Sequence, residues 1–163
     1  MKKFINKFRV QYLIENNKFQ EAIQLLDKIE LSNGLSPESV SLYRDLCLEG
    51  TIVELYAQSG KLFSKGRYKE SREMLQELRK IIIANAEKLG TGKSELNNFF
   101  ETAISEFQNT YSVDHISLEE IKPLRVKFQQ MAKEVFPNKF GEEYGEILVD
   151  VLLMPSVCKA FEK

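Results

Sequence analysis

The sequence predicts an all-α fold of seven helices, with a short eighth, arranged as antiparallel hairpins. Three observations carry this. Apolar residues recur every three or four positions along most of the chain, and no stretch shows sustained alternation of β-branched residues between turn pairs. Hydrophobic residues make up 43% and charged residues 29% of the 163 positions, which is enough apolar material for a core. Asn and Gly then punctuate the chain where helices should stop, at Asn16-Asn17, Asn33-Gly34, Gly66 and Gly90.

Helix 1 is expected over about Lys3–Glu15, with Phe4, Phe8, Gln11 and Tyr12 stacked at helical spacing. Helix 2 covers Phe19–Ile29, with Phe19, Ala22, Leu26 and Ile29 on one face. Ser36-Pro37-Glu38 opens helix 3 with a hydroxyl cap, a proline at the first helical position and an acid in the first turn. That helix runs to Lys65. Its small-residue row Cys47, Gly50, Val53, Ala57, Gly60 and Ser64 predicts a close helix–helix approach. Helix 4 spans Tyr68–Leu89, with Ser71, Leu75, Leu78, Ile82, Asn85 and Leu89 in 3/4 spacing and Gly90 as cap.

Helix 5 covers Glu95–Tyr111, with Leu96, Phe100, Ala103, Phe107 and Tyr111 inward. Ser117-Leu118-Glu119-Glu120 reads as a capping box for helix 6. That helix should kink or restart at Pro123, continue through Leu124, Phe128, Met131 and Val135, and stop at Pro137. Helix 7, Gly141–Met154, is the most apolar segment. Pro155 should end it, leaving Ser156–Phe161 as a last turn. No linker divides the chain, so residues 1–163 are expected to form one helical domain. A soft division falls at Gly90–Ser94, with 1–90 before it and 94–163 after.

The net charge of −1 supplies no field for nucleic acid or an anionic membrane. No apolar run is long enough to span a bilayer, and no apolar stretch follows the N-terminal lysines as a secretory signal requires. Cys47 and Cys158 have neither disulfide-framework nor metal-ligand spacing, so a cytoplasmic location is the expectation.

The segment Tyr56–Ser71 resembles a tetratricopeptide repeat: Gly60 stands at the small position of helix A, Phe63 at the aromatic one, Gly66 in the turn, and Tyr68 and Ser71 at the opening of helix B. Phe19, Ala22 and Ile29 carry a weaker likeness. The resemblance covers residues 1–90. Ala22 and Ser71 stand 49 positions apart, not one repeat apart, and the usual Trp is missing. It implies helical hairpins sharing a core, with a first half packed on a C-terminal bundle and an inner groove lined by Lys7, Gln11, Lys61 and Lys65. Such lysines could hold a peptide carboxylate. Residues 117–154 locally resemble a J-domain, through Phe128–Lys139. Phe136 and Asn138 replace the His and Asp that carry that family's ATPase stimulation.

Chemistry is sparse. Gly90-Thr91-Gly92-Lys93-Ser94 ends like a phosphate-binding loop, but Glu87 stands where the first Gly belongs and a helix precedes where a strand is required. Ser94 then reads as a helix N-cap. His115 is the single His and has no ligand partner in the pattern. Acid pairs such as Glu119-Glu120 sit at helix starts, where the macrodipole accounts for them. No catalytic, metal or cofactor residue is assigned. Lys2, Lys3, Lys7 and Arg9 interleave with Phe4, Ile5 and Phe8, a pattern read as a first helix packed by its Phe face, with docking on a partner or an anionic membrane as the alternative.

The expected function is a non-catalytic adaptor that binds a peptide or helix of a protein partner. The alternatives are a degenerate J-like co-chaperone and an enzyme with an unrecognised site. Val151-Leu152-Leu153-Met154 is a second candidate contact, for a homodimer, if it lies exposed.

Overall fold

The computed structural model describes residues 2–111 and 116–162. Among them are seven helices and no strand: α1 (Lys2–Glu15), α2 (Phe19–Leu31), α3 (Pro37–Ser64), α4 (Tyr68–Ala84), α5 (Lys93–Thr110), α6 (Leu118–Val135) and α7 (Lys139–Phe161). The residues divide into two compact units, Met1–Glu54 and Leu55–Lys163, with the boundary inside α3. The expected soft division at Gly90–Ser94 lies inside the second unit. No Gly- or Pro-rich break stands between the two units, since α3 runs unbroken from one into the other.

In unit 1, α1, α2 and the first part of α3 enclose a core of Val10, Phe19, Ala22, Leu26, Ile29, Leu35, Val40, Tyr43 and Cys47. All four residues expected on the inner face of α2 are buried. Ser36 caps α3 as its sequence predicts: its Oγ accepts from Ser39 N–H at 3.2 Å. Leu35 and Val40, at the positions of a hydrophobic staple, both enter the core. Gly50 lies so close to Phe19 that a Cβ there would sit 2.3 Å from the ring, which is the close approach expected of the small-residue row. The rest of that row differs. Val53, Ala57, Gly60 and Ser64 are exposed, and Gly60 has no neighbour within 4 Å.

The turn after α1 and the turn after α3 share one geometry. Asn17 (φ 58°) and Gly66 (φ 76°) are left-handed. Lys18 N–H reaches back to Leu13 O at 2.8 Å, and Arg67 N–H to Leu62 O at 2.9 Å, while Asn17 and Gly66 bond Ile14 O and Phe63 O. These are Schellman motifs. The same pair of bonds closes α2 at Asn33-Gly34 and the final turn at Gly90-Thr91. Asn and Gly stand at these positions because other side chains strain at positive φ.

In unit 2, α7 is the central helix and packs on both α4 and α6; α5 joins α4 and α6. Ser71 Oγ donates to Ser59 O at 2.8 Å, so the small-residue contact of the α3–α4 hairpin uses Ser59, one position before Gly60. Leu96, Phe100, Ala103 and Phe107 are buried as expected, and Tyr111 is half-buried. Phe99, Phe136, Phe140 and Tyr144 form a chain of ring contacts.

Several boundaries differ. α4 ends at Ala84, and its stripe continues as a hydrogen-bonded turn that still buries Leu89. Gly92, not Ser94, caps α5; Glu95 at the third position folds back into the space a Gly92 Cβ would need. α6 is continuous through Pro123, with Ala132 buried where Met131 and Val135 were expected. α7 passes through Pro155, because Val157 and Cys158 beyond it are fully buried and offset a missing backbone bond to Val151 O. Val151, Leu152 and Leu153 are buried and Met154 is half-buried, so this stretch is core of unit 2 and not an exposed dimer face.

Candidate docking surface on α1

The expectation that α1 packs by its Phe face is corrected. Its inward residues are Asn6 and Val10, with Leu13 and Ile14 partly buried, a 4/3/1 spacing that keeps them on one side. Asn6 Nδ2 donates to Gly34 O at 3.1 Å, fixing α1 to the α2–α3 turn. The opposite side carries Phe4 (73% exposed), Phe8 (65%) and Tyr12 (53%), with Ile5 beside them. At ~200 Å² per aromatic side chain the three rings present about 400 Å² to water. That equals the largest apolar patch of a typical monomer, the kind that usually carries function.

Cations border this stripe, Lys7 on one flank and Lys2 and Arg9 on the other, with Lys3 exposed at the N-terminal end of the helix. No acid occurs in α1 before Glu15. None of these four, nor Lys28 on α2, makes an ion pair among the described residues. Between α1 and α2 lies a cleft of about 560 Å³, lined by Phe8, Arg9, Tyr12, Leu25, Lys28 and Ile29 among others. Glu21 is the acid in its lining. An apolar floor with cationic edges suits an apolar segment bearing carboxylates.

The four groove residues inferred from the repeat resemblance fall in different units: Lys7 and Gln11 in unit 1, Lys61 and Lys65 in unit 2. All four are exposed. Phe136 and Asn138 have structural roles. Phe136 is buried in the aromatic chain, and Asn138 caps α7 by accepting from Phe140 N–H at 3.1 Å. Gly90, Thr91 and Gly92 line a separate cleft with Glu87 and Glu95, whose carboxylates oppose a phosphate. His115 lies outside the described residues. Among the described residues no group of His, Cys, Asp and Glu is placed to hold a metal, and no helix is long and apolar enough to cross a membrane.

Sequence reasoning missed one polar cluster in unit 2. Asp150 on α7 is 5% exposed inside the most apolar helix. The Tyr56 hydroxyl of α3 donates to its Oδ2. Arg125 of α6 reaches the same oxygen at 3.0 Å and sets Nε 2.9 Å from Oδ1, while Glu146 stands 3.4 Å from that guanidinium. Burial raises the Asp150 carboxyl above its ordinary range, partly countered by Tyr56 and Arg125. Burial, then the Asp150 carboxylate, pushes the Tyr56 phenol far up. The cluster clamps α3, α6 and α7 together. The signal that could have found it was a lone acid inside the run Ile147–Leu153.

No protein-family model, curated protein or solved structure matches this chain.

Proposed function

We propose that this chain is a non-catalytic protein-interaction module whose α1 surface docks an apolar, acidic helical segment of a partner protein. One observation carries the reading: the solvent face of α1 is an exposed Phe4–Phe8–Tyr12 stripe bordered by cations that pair with nothing in the described residues. A helix packed only for its own unit would carry polar residues there. The recognition mode is a helix laid against a helical hairpin, with leucine-like anchors on the rings and carboxylates on the flanks.

The test is a titration with a synthetic amphipathic helical peptide carrying leucines on one face and glutamates beside them. The same peptide with lysines for glutamates is the control. The glutamate peptide should bind at least about tenfold tighter, with NMR shifts concentrated on Phe8, Arg9, Tyr12 and Lys28. Equal affinity for the two peptides, or shifts confined to unit 2, would refute the proposal.

A further inference from the structure

The outer face of α3 is the counterpart of α1. Leu42, Leu46 and Val53 are exposed there, and Glu38, Asp45 and Glu49 lie beside them. At 100° per residue these six positions fall within an arc of about 100°. The three acids make no ion pair among the described residues. Arg44 is the single cation between Pro37 and Glu54. It is occupied on another face, by Asp27 at 2.8 Å and Glu30 at 2.6 Å. Unit 1 thus carries an apolar helix face bordered by acids, as well as one bordered by bases.

Within one chain these faces do not cover each other, since Phe4, Phe8 and Tyr12 and Leu42, Leu46 and Val53 all remain exposed. Val10 of α1 and Tyr43 of α3 share one core, and both outer faces stay in solvent. We infer that a second copy of this chain is the occupant: the aromatic, basic face of α1 in one copy docks on the leucine-rich, acidic face of α3 in another. This rests on the docking role proposed for α1 and names its partner. Charge complementarity selects the pairing, because α1 against α1 would oppose four cations to four and α3 against α3 three acids to three. A reciprocal exchange gives a two-fold dimer; a one-way contact gives a ring or an open chain.

The experiment is molecular mass by light scattering across a micromolar to submillimolar concentration series, using the full chain. Wild type should gain mass with concentration. Reversing α1 (Lys3→Glu, Lys7→Glu, Arg9→Glu) should shift association to at least about tenfold higher concentration. Reversing α3 (Glu38→Lys, Asp45→Lys, Glu49→Lys) should do the same. An equimolar mixture of the two reversed chains should associate again, since every α1–α3 pairing between them is complementary. Circular dichroism of each variant checks the fold. A wild type that stays monomeric throughout overturns the inference, as does a mixture that fails to recover. Monomeric chain that still prefers the glutamate peptide leaves the docking role standing and removes only the second copy as partner; loss of both removes both. Monomeric chain whose α1 face instead binds phosphatidylserine vesicles also overturns it.

Discussion

Removing the Arg125 guanidinium should expose how much unit 2 depends on the charge inside α7. Asp150 has two partners, Tyr56 and Arg125, and nearly all of its surface is out of water. Arg125→Ala leaves that carboxylate with the Tyr56 hydroxyl alone, beside Glu146, a like charge. Breaking a buried pair by removing one member costs about 3–5 kcal/mol. Arg125 keeps 35% of its side-chain surface in water, so solvent can enter the space it leaves. The lower end of that range, about 3 kcal/mol, is therefore expected. The triple change Tyr56→Phe, Arg125→Met and Asp150→Leu removes every polar partner at once. It should stay within about 1 kcal/mol of wild type or exceed it, because the desolvation of two charges disappears with their attraction. Urea unfolding followed by circular dichroism, with hydrogen exchange of the α7 amides to localise the change, reads both variants. A loss below about 1 kcal/mol for Arg125→Ala, or a triple variant weaker than the single one, would contradict the clamp role.

Other outcomes follow from the same structure. Burial holds the Asp150 carboxyl above its unfolded value of about 3.9, so its contribution is complete below that value and is lost as pH rises through the folded one; Asp150→Asn should flatten this decline in a stability–pH series, and an unchanged slope would argue against it. Gly60→Ala should raise stability by up to about 1 kcal/mol, since Gly60 is helical and unpacked, while Gly50→Ala should lower it by about 1–3 kcal/mol by driving a methyl into Phe19; melts showing both changes equal would count against the packing described. Burial raises the Cys47 and Cys158 thiols, so a chromogenic disulfide reagent at neutral pH should label neither until denaturant is added; stoichiometric labelling of folded chain would show that unit 1 or unit 2 opens readily.

The helices were legible because their spacing and their stops are local. Ser71, Leu75, Leu78 and Ile82 share one face because 3/4 spacing leaves no alternative, and that face is buried; Gly66 and Gly90 take positive φ as their turns require. Spacing does not say which side of a helix meets the core. Phe4, Phe8 and Tyr12 do share a face, but Asn6 and Val10 face inward, where Asn6 finds a backbone acceptor at Gly34 and Val10 joins the core. The prolines misled for a related reason. A local rule ends a helix at Pro155, yet tertiary burial of Val157 and Cys158 carries α7 through it. The Asp150 cluster joins positions 94 residues apart, Tyr56 and Asp150, and no local pattern announces such a meeting. The candidate site was half legible: its residues and their charges were visible in the N-terminal sequence, and their exposure was not.

The docking role of α1 is tested most directly by the variant Phe4→Ser, Phe8→Ser, Tyr12→Ser, measured for stability and for affinity toward the glutamate-bearing peptide. All three rings are more than half exposed, so the variant should keep its unfolding free energy within about 1 kcal/mol of wild type and lose peptide binding. A loss of several kcal/mol would show that these rings are packing residues, and unchanged peptide affinity would show that α1 is not the docking surface.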